Sequence, residues 1–184
     1  MTYIEYQNLA NRTFKSLYEE NSNARHMMMG VITEIGEIID IYKKNLAYDK
    51  PIDEVNLSEE WADVAWYLAN EACRTGVLLI FEDYHLAEHY VNCPIEEILM
   101  DVVISFKQMQ QIRIKTNYNK TITSNNLSAL FNHWVYIGEN VLEINTDKAL
   151  QNNIDKLRVR YPDKFTEKAA LNRDLDSERR ELEK

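Results

Sequence analysis

The amino-acid sequence predicts an all-α protein, on grounds of composition and of apolar patterning. Only 4 Gly and 3 Pro occur among 184 residues that are 45% hydrophobic, which favours long helices over turn-rich sheets. Two long runs repeat their apolar residues at intervals of three and four, as the buried face of a helix does. The length suits one domain with a substantial core. We therefore expect a bundle of about six or seven helices.

Polar capping residues and prolines divide the chain into these helices. Asn23, Ser58 and Thr166 are suitable N-caps, while Pro94 and Pro162 mark boundaries that a helix does not cross. The predicted helices cover residues 3–17, a second from about 23 to 44, a third after 58, then 95–112, 127–144, 147–161 and a charged last helix toward residue 184.

Charge and hydropathy exclude several functional classes. A net charge of −9 argues against a nucleic-acid-binding surface, which needs clustered Lys and Arg. No apolar stretch approaches 18 residues, and the N-terminus "MTYIEYQNLA" lacks the pattern of a signal peptide. Cys73 and Cys93 fit two thiols of a cytoplasmic protein, although a disulfide between them stays open. We expect a small-molecule ligand and no contact with a membrane.

Two acidic patterns lie within the most regular helical runs. Glu34 and Glu37 are three residues apart in "GVITEIGEIID", and Glu60 and Asp63 are three apart in "LSEEWADVAWYLA". Residues three apart share a helix face, so each pair presents two carboxylates at the border of an apolar stripe. Four such acids repel one another, and a divalent cation relieves the repulsion. Mg²⁺ prefers oxygen ligands and bridges carboxylates to phosphates, with Mn²⁺ as its substitute. The alternative is four solvated surface charges.

The order E-x-x-E followed by E-x-x-D resembles the MazG-like all-α nucleoside triphosphate pyrophosphatases. The segments "EYQ", "MGVITEIGEIIDIYKK", "EEWADVAWYLA" and "NIDKLRVRYPDKF" resemble family segments in the family's order, and together they cover roughly residues 3–76 and 148–175. The family usually has E-L-G-D at the second pair, where this chain has E-W-A-D over residues 60–63. Both acids of the pair are retained.

The resemblance implies Mg²⁺-dependent hydrolysis of nucleoside or deoxynucleoside triphosphates to the monophosphate and pyrophosphate, as a house-cleaning activity on the nucleotide pool. It implies that Glu34, Glu37, Glu60 and Asp63 hold the metal and supply catalysis. One of them, on the E-x-x-E helix, would also orient or deprotonate the attacking water. A homo-oligomer, a dimer, is implied as well. The competing class is a non-catalytic helical binding or scaffold protein with surface acidic patches.

A basic helix face near the C-terminus is the candidate phosphate site. Asn153, Lys156 and Arg160 recur at spacings of three and four, and a lysine one turn from an arginine can bind a polyphosphate. They resemble the family's phosphate-binding positions. Lys44 is a further candidate for substrate binding, although it or Lys43 also suits a helix end, where the dipole favours cations.

An internal repeat is indicated by two loops. "YDKPIDEVNLS" at 48–58 and "YNKTITSNNLS" at 118–128 share six of eleven residues at an offset of 70, and the four acids become Ile104, Lys107, Leu130 and His133. We expect a single domain, 1–184, containing an active unit at about 23–76, a degenerate repeat at about 80–146 and a C-terminal phosphate-binding helix and tail at 147–184. The repeat would make the chain a pseudo-dimer; an unrelated helical insertion is the alternative.

Three weaker signals complete the candidates. "HLAEH" at 85–89 matches an inverted zinc-protease pattern, with a surface helix as the alternative. His26 could face a nucleobase, or serve as a capping or surface residue. Gln7 and Asn23 could bind base edges. No Gly-rich phosphate loop is present, which excludes the P-loop and dinucleotide-binding classes.

Overall fold

A computed structural model describes residues 1–81, 90, 93–115 and 120–184. All regular secondary structure in these residues is helical, which confirms the all-α prediction. The helices are α1 (Tyr3–Asn11), α2 (Glu20–Tyr48), α3 (Glu54–Thr75), α4 (Ile95–Lys115), α5 (Lys120–Asn140), α6 (Thr146–Arg160), α7 (Glu167–Leu171) and α8 (Leu175–Leu182). None of the described helices has the length and apolar character needed to cross a membrane. The zinc-type pattern at 85–89 lies outside the described residues.

Two predicted N-caps are wrong. The third helix begins at Glu54, one turn earlier than predicted, because the Asp53 carboxylate accepts hydrogen bonds from the amides of residues 55 and 56 at 3.1 Å. Ser58 consequently lies inside α3. Asn23 lies inside α2, and its side chain binds the backbone of Leu17 through bonds of 2.8 and 3.1 Å. It therefore fixes the turn before α2 and does not bind a base edge.

Helix α3 is the centre of the bundle and contacts α1, α2, α5 and α6. Where α3 meets α5, the rings of Trp61 and Trp134 stack with centroids 6.1 Å apart and planes 8° apart. Each indole N–H donates to the other residue's carbonyl oxygen, at 3.1 and 3.0 Å. A reciprocal exchange of this kind is typical of two elements related by a two-fold axis. The two tryptophans are 73 residues apart, whereas the predicted repeat has an offset of 70, so they are not equivalent positions of that repeat.

The C-terminal segment forms two short helices where one was predicted. Thr166 caps α7 as predicted, with its hydroxyl accepting from the amide of Ala169 at 3.2 Å. Asp174 caps a separate helix, α8, by accepting from the amide of Ser177 at 3.1 Å. Helix α8 packs along α6, so the end of the chain reaches the helix predicted to bind phosphate.

Candidate metal centre and adjoining cavity

A cluster of three carboxylates joins α2 to α3. Glu34, Glu60 and Asp63 each offer an oxygen, and these oxygens lie within 4.8 Å of one another on half-buried side chains. Glu37 is exposed, and it lines the same cavity without belonging to this group. The structure therefore brings three of the four predicted acids together. An all-oxygen donor set suits a hard cation such as Mg²⁺ better than zinc or copper.

The cluster is electrostatically strained without a cation. Burial, followed by the charge of Asp63, raises the pKa of Glu34. Burial, followed by the charges of Asp63 and Glu34, raises the pKa of Glu60 to about 8, and the side-chain interaction with Glu34 acts in the same direction. At neutral pH the raised pKa favours the protonated form of the Glu60 carboxyl. A divalent cation would take the place of this proton, so the residues fit a metal.

Two side chains of α6 bind the carboxylate of Asp63. The Asn153 amide donates to Asp63 Oδ1 at 2.6 Å, and the Lys156 ammonium contacts both Asp63 oxygens at 2.8 and 2.7 Å. Lys156 also binds Glu59 at 3.2 Å, and the Tyr6 hydroxyl donates to the Asn153 side-chain oxygen at 3.2 Å. These supports hold the Asp63 carboxylate in one orientation, as outer residues commonly do for metal ligands.

The lysine is charged although only 1% of its side chain is exposed. Burial acts to lower the pKa of Lys156, but the carboxylates of Asp63 and Glu59 outweigh burial and keep that pKa raised. Asn153 and Lys156 were predicted to contact phosphates directly. Both are buried against Asp63 and neither lines the cavity, so in the structure they contact a carboxylate of the candidate metal cluster.

A cavity of about 520 Å³ opens beside the three carboxylates. Its other walls carry cationic and aromatic side chains. The cationic residues are Lys15, Arg160 and Arg173, and the aromatic ones are His26, Trp66, Tyr67, Tyr161 and Phe165. Trp66 and Tyr67 meet edge to face with centroids 4.9 Å apart, and Tyr67 meets His26 in the same manner at 5.9 Å. One cavity thus combines a carboxylate cluster that could hold a cation, basic groups and aromatic surface.

Arg160 is the one predicted phosphate ligand that lines the cavity within the described residues, and it has a partner that sequence analysis missed. Its Nε and Nη2 donate to the two oxygens of Glu178 at 2.9 and 2.5 Å, and Arg173 Nη2 donates to the same carboxylate at 2.6 Å. Burial acts to raise the pKa of Glu178, but the two guanidinium groups outweigh burial and lower it to about 2. The Asp174 cap was the sequence signal that could have indicated α8.

Two other predicted binding residues lie elsewhere. The Lys44 ammonium pairs with Asp40 at 2.5 Å and lies seven residues, about 10 Å, along α2 from Glu37. It is not part of the cavity wall. The Gln7 side chain donates to the carbonyl of Val77 at 2.7 Å and accepts from the amide of residue 79 at 3.0 Å. Gln7 therefore attaches α1 to the segment after α3 and does not face a ligand.

His26, for which contact with a nucleobase and a capping or surface role were both open, lines the cavity. Burial, followed by the charge of Lys15, lowers the pKa of His26, which favours the neutral ring. Its Nδ1 is buried with no hydrogen-bond partner among the described residues. The adjoining Phe14 ring stacks on it with centroids 6.3 Å apart.

No protein-family model, curated protein or solved structure matches this chain. The likeness to the MazG-like pyrophosphatases therefore stays a resemblance of short motifs. The fold and the site define the class of protein directly: a protein, helical throughout its described secondary structure, with a carboxylate cluster at one wall of a cavity that also carries basic and aromatic side chains.

The raised pKa of Glu60 predicts a pH dependence of stability. Between pH 4.5, the ordinary value, and about 8, the folded metal-free protein binds more protons at Glu60 than the unfolded chain does. The Glu60 contribution should therefore lower the unfolding free energy as pH rises through this window. We expect the Tm in EDTA to fall with pH relative to that of Glu60→Gln, which lacks the titrating group. Saturating Mg²⁺ should remove the difference in slope; parallel curves in EDTA would contradict the assignment.

Proposed function

We propose that this chain is a Mg²⁺-dependent nucleotide pyrophosphohydrolase that cleaves nucleoside or deoxynucleoside triphosphates to the monophosphate and pyrophosphate. The observation that carries the proposal is the joint placement, on one cavity, of the carboxylates Glu34, Glu60 and Asp63 and the guanidinium groups of Arg160 and Arg173. A nucleoside triphosphate complements this arrangement because its phosphates bind both a hard cation and arginines.

The size and lining of the cavity support a nucleotide as the ligand. About 520 Å³ falls within the range of small-molecule sites, roughly 300–1,000 Å³. The rings of Trp66, Tyr67 and Phe165 offer aromatic surface on which a base can stack, a contact worth about 1–3 kcal/mol per base. An inorganic polyphosphate would leave this surface unused.

In the proposed reaction, water adds its oxygen to the α- or the β-phosphorus, the bond between that same phosphorus and the oxygen that bridges the two breaks, and the monophosphate and pyrophosphate separate. When bound, Mg²⁺ supplies charge neutralisation at the phosphates. Asn153 and Lys156 hold the Asp63 carboxylate through bonds of 2.6 and 2.8 Å, and Asp63 would bind the ion together with Glu34 and Glu60. Arg160 stabilises negative charge on the departing pyrophosphate. Glu37, exposed on the cavity wall one turn from the cluster, orients the water and accepts its proton.

The bundle type and the internal repeat belong to the same proposal. The reciprocal Trp61–Trp134 contact supports a bundle in which the second helical pair takes the place of a partner subunit. The structure does not describe residues 116–119, which include the start of the second loop of the repeat. The duplication, a homodimer and a cytoplasmic location stay predictions of the sequence.

The test is turnover of the common ribo- and deoxyribonucleoside triphosphates, with products separated and identified. We expect Mg²⁺-dependent formation of monophosphate and pyrophosphate in equal amounts, no activity in EDTA, and activity restored by Mn²⁺. Hydrolysis in ¹⁸O-water then shows which phosphorus the water attacks, because the label enters one product only. Release of orthophosphate would make the reaction class wrong. Absence of both turnover and a Mg²⁺-dependent rise in Tm would favour a helical scaffold with surface acids.

A further inference from the structure

The C-terminal segment contributes a buried carboxylate beside the cavity that the proposed reaction does not use. Glu178, on α8, has 3% of its side chain exposed and accepts bonds from Arg160 and from Arg173. Arg160 ends α6, and Arg173 lies between α7 and α8. Two cavity-lining arginines from separate parts of the chain thus share one buried carboxylate.

The bonds leave one edge of each arginine available. Both arginines donate to Glu178 through Nε and Nη2. The Nη1 group of each has no hydrogen-bond partner among the residues that the structure describes. A guanidinium group held by one edge is well suited to bind a second anion through the other. Two positive charges against one negative charge leave the cluster net positive, so it still attracts an anion.

Without Glu178 the two guanidinium groups would separate. They carry like charges at a partly buried wall, where repulsion is stronger than in water. The Arg173 side chain is 41% exposed and comes from a non-helical link, so solvent is an alternative position for it. Glu178 therefore offsets the repulsion and keeps both arginines at the cavity.

We propose that Glu178 is a positioning residue that assembles Arg160 and Arg173 into a subsite for the terminal phosphates of a polyphosphate chain. The inference rests on the proposed function, because the carboxylate cluster must hold the metal-bearing part of the same ligand. It assigns to the C-terminal helix a role in ligand binding. Loss of Glu178 should weaken polyphosphate binding and leave binding of Mg²⁺ alone unchanged.

The structure offers a matched control on the same helix. Arg179, the next residue, pairs with Asp53 at 3.4 Å and with Glu183 at 2.7 Å, and these contacts hold α8 without touching the cavity. A substitution at Arg179 therefore loosens the C-terminal helix but leaves the arginine subsite intact. Any effect that comes only from anchoring of α8 should appear in this control.

The experiment measures binding of Mg²⁺–tripolyphosphate by isothermal titration calorimetry at constant ionic strength. We expect Glu178→Gln and Arg173→Gln each to raise Kd about tenfold, and Arg179→Gln to leave it unchanged. In an Arg160→Gln/Arg173→Gln background, Glu178→Gln should have no further effect, since it acts through those two side chains. Arg173→Gln replaces an exposed side chain and gives an independent reading if Glu178→Gln fails to fold.

Three results would overturn the inference: an unchanged Kd in Glu178→Gln, a further loss in the double-arginine background, or tighter binding, which would show that Glu178 competes with phosphate. The proposed function is judged separately, because binding of tripolyphosphate needs no hydrolysis. Wild-type protein that binds it through Glu178 but cleaves no nucleotide would support the subsite and contradict the reaction. If the protein cleaves nucleotides and Glu178→Gln leaves the Kd for tripolyphosphate unchanged, the reaction is supported and the subsite is contradicted.

Discussion

Replacing Glu60 by Gln should lower Mg²⁺-dependent nucleotide turnover by more than about a hundredfold, since even the outer supports of metal ligands are worth up to that factor. The same substitution should raise the Tm of the metal-free protein. Glu60 is half-buried beside Glu34 and Asp63, and these surroundings raise its pKa to about 8. A neutral amide can donate to Glu34 and no longer resists burial. Activity and stability should therefore change in opposite directions.

Asp63→Asn is the contrasting variant, because it should lose both turnover and stability. Its carboxylate is the main partner of the buried Lys156 ammonium, at 2.7 and 2.8 Å, and Glu59 alone would remain at 3.2 Å. Breaking a buried ion pair from one side costs about 3 kcal/mol or more. Steady-state rates with Mg²⁺ and thermal unfolding in EDTA distinguish the two variants. Glu60→Gln protein with near-wild-type turnover would show that the carboxylates are not the metal site.

The convergence of the acids was predictable because it depends on helical phase and on one short connection. The acid patterns fix a face of α2 and a face of α3, and the five residues between these helices make them neighbours. The separate environment of Glu37 was not predictable from spacing, since the same three-residue interval brings both Glu60 and Asp63 into the group. Only Glu34 is close enough to the acids of α3 to join the 4.8 Å group.

The surroundings of Lys156 were not predictable from local pattern. Spacing places Lys156 and Arg160 on adjacent parts of one helix face, but the partner that makes Lys156 a buried residue lies 93 positions earlier in the chain. A lysine on a polar helix looks the same in sequence whether it meets phosphate or Asp63. Arg173 and Glu178 were missed for a related reason: the link that carries Arg173 has no periodic pattern, and the contact of Glu178 depends on α8 packing along α6.

Gly30→Ala should destabilise the protein by about 2 kcal/mol, although alanine is the better helix former. A Cβ atom at this position of α2 would lie 2.1 Å from Cε1 and 2.2 Å from Cζ of Tyr67, far inside contact distance. The Tyr67 ring cannot move freely, because it meets Trp66 at 4.9 Å and His26 at 5.9 Å between ring centroids. Displacing it would rearrange the aromatic wall of the cavity, so KM for an active nucleotide should rise as well.

Gly36→Ala is the matched control, since it lies in the same helix and a Cβ there meets no atom within 4 Å. It should stabilise the protein by up to about 1 kcal/mol through helix propensity alone. Urea unfolding with unchanged m-values measures both variants, and their difference isolates the contact with Tyr67. In a Tyr67→Ala background, Gly30→Ala should lower the unfolding free energy by less than it does in the wild type, because the ring that Cβ would contact is gone. If the Gly30→Ala protein is as stable as the Gly36→Ala protein, Tyr67 does not pack on Gly30 and the cavity wall is formed differently.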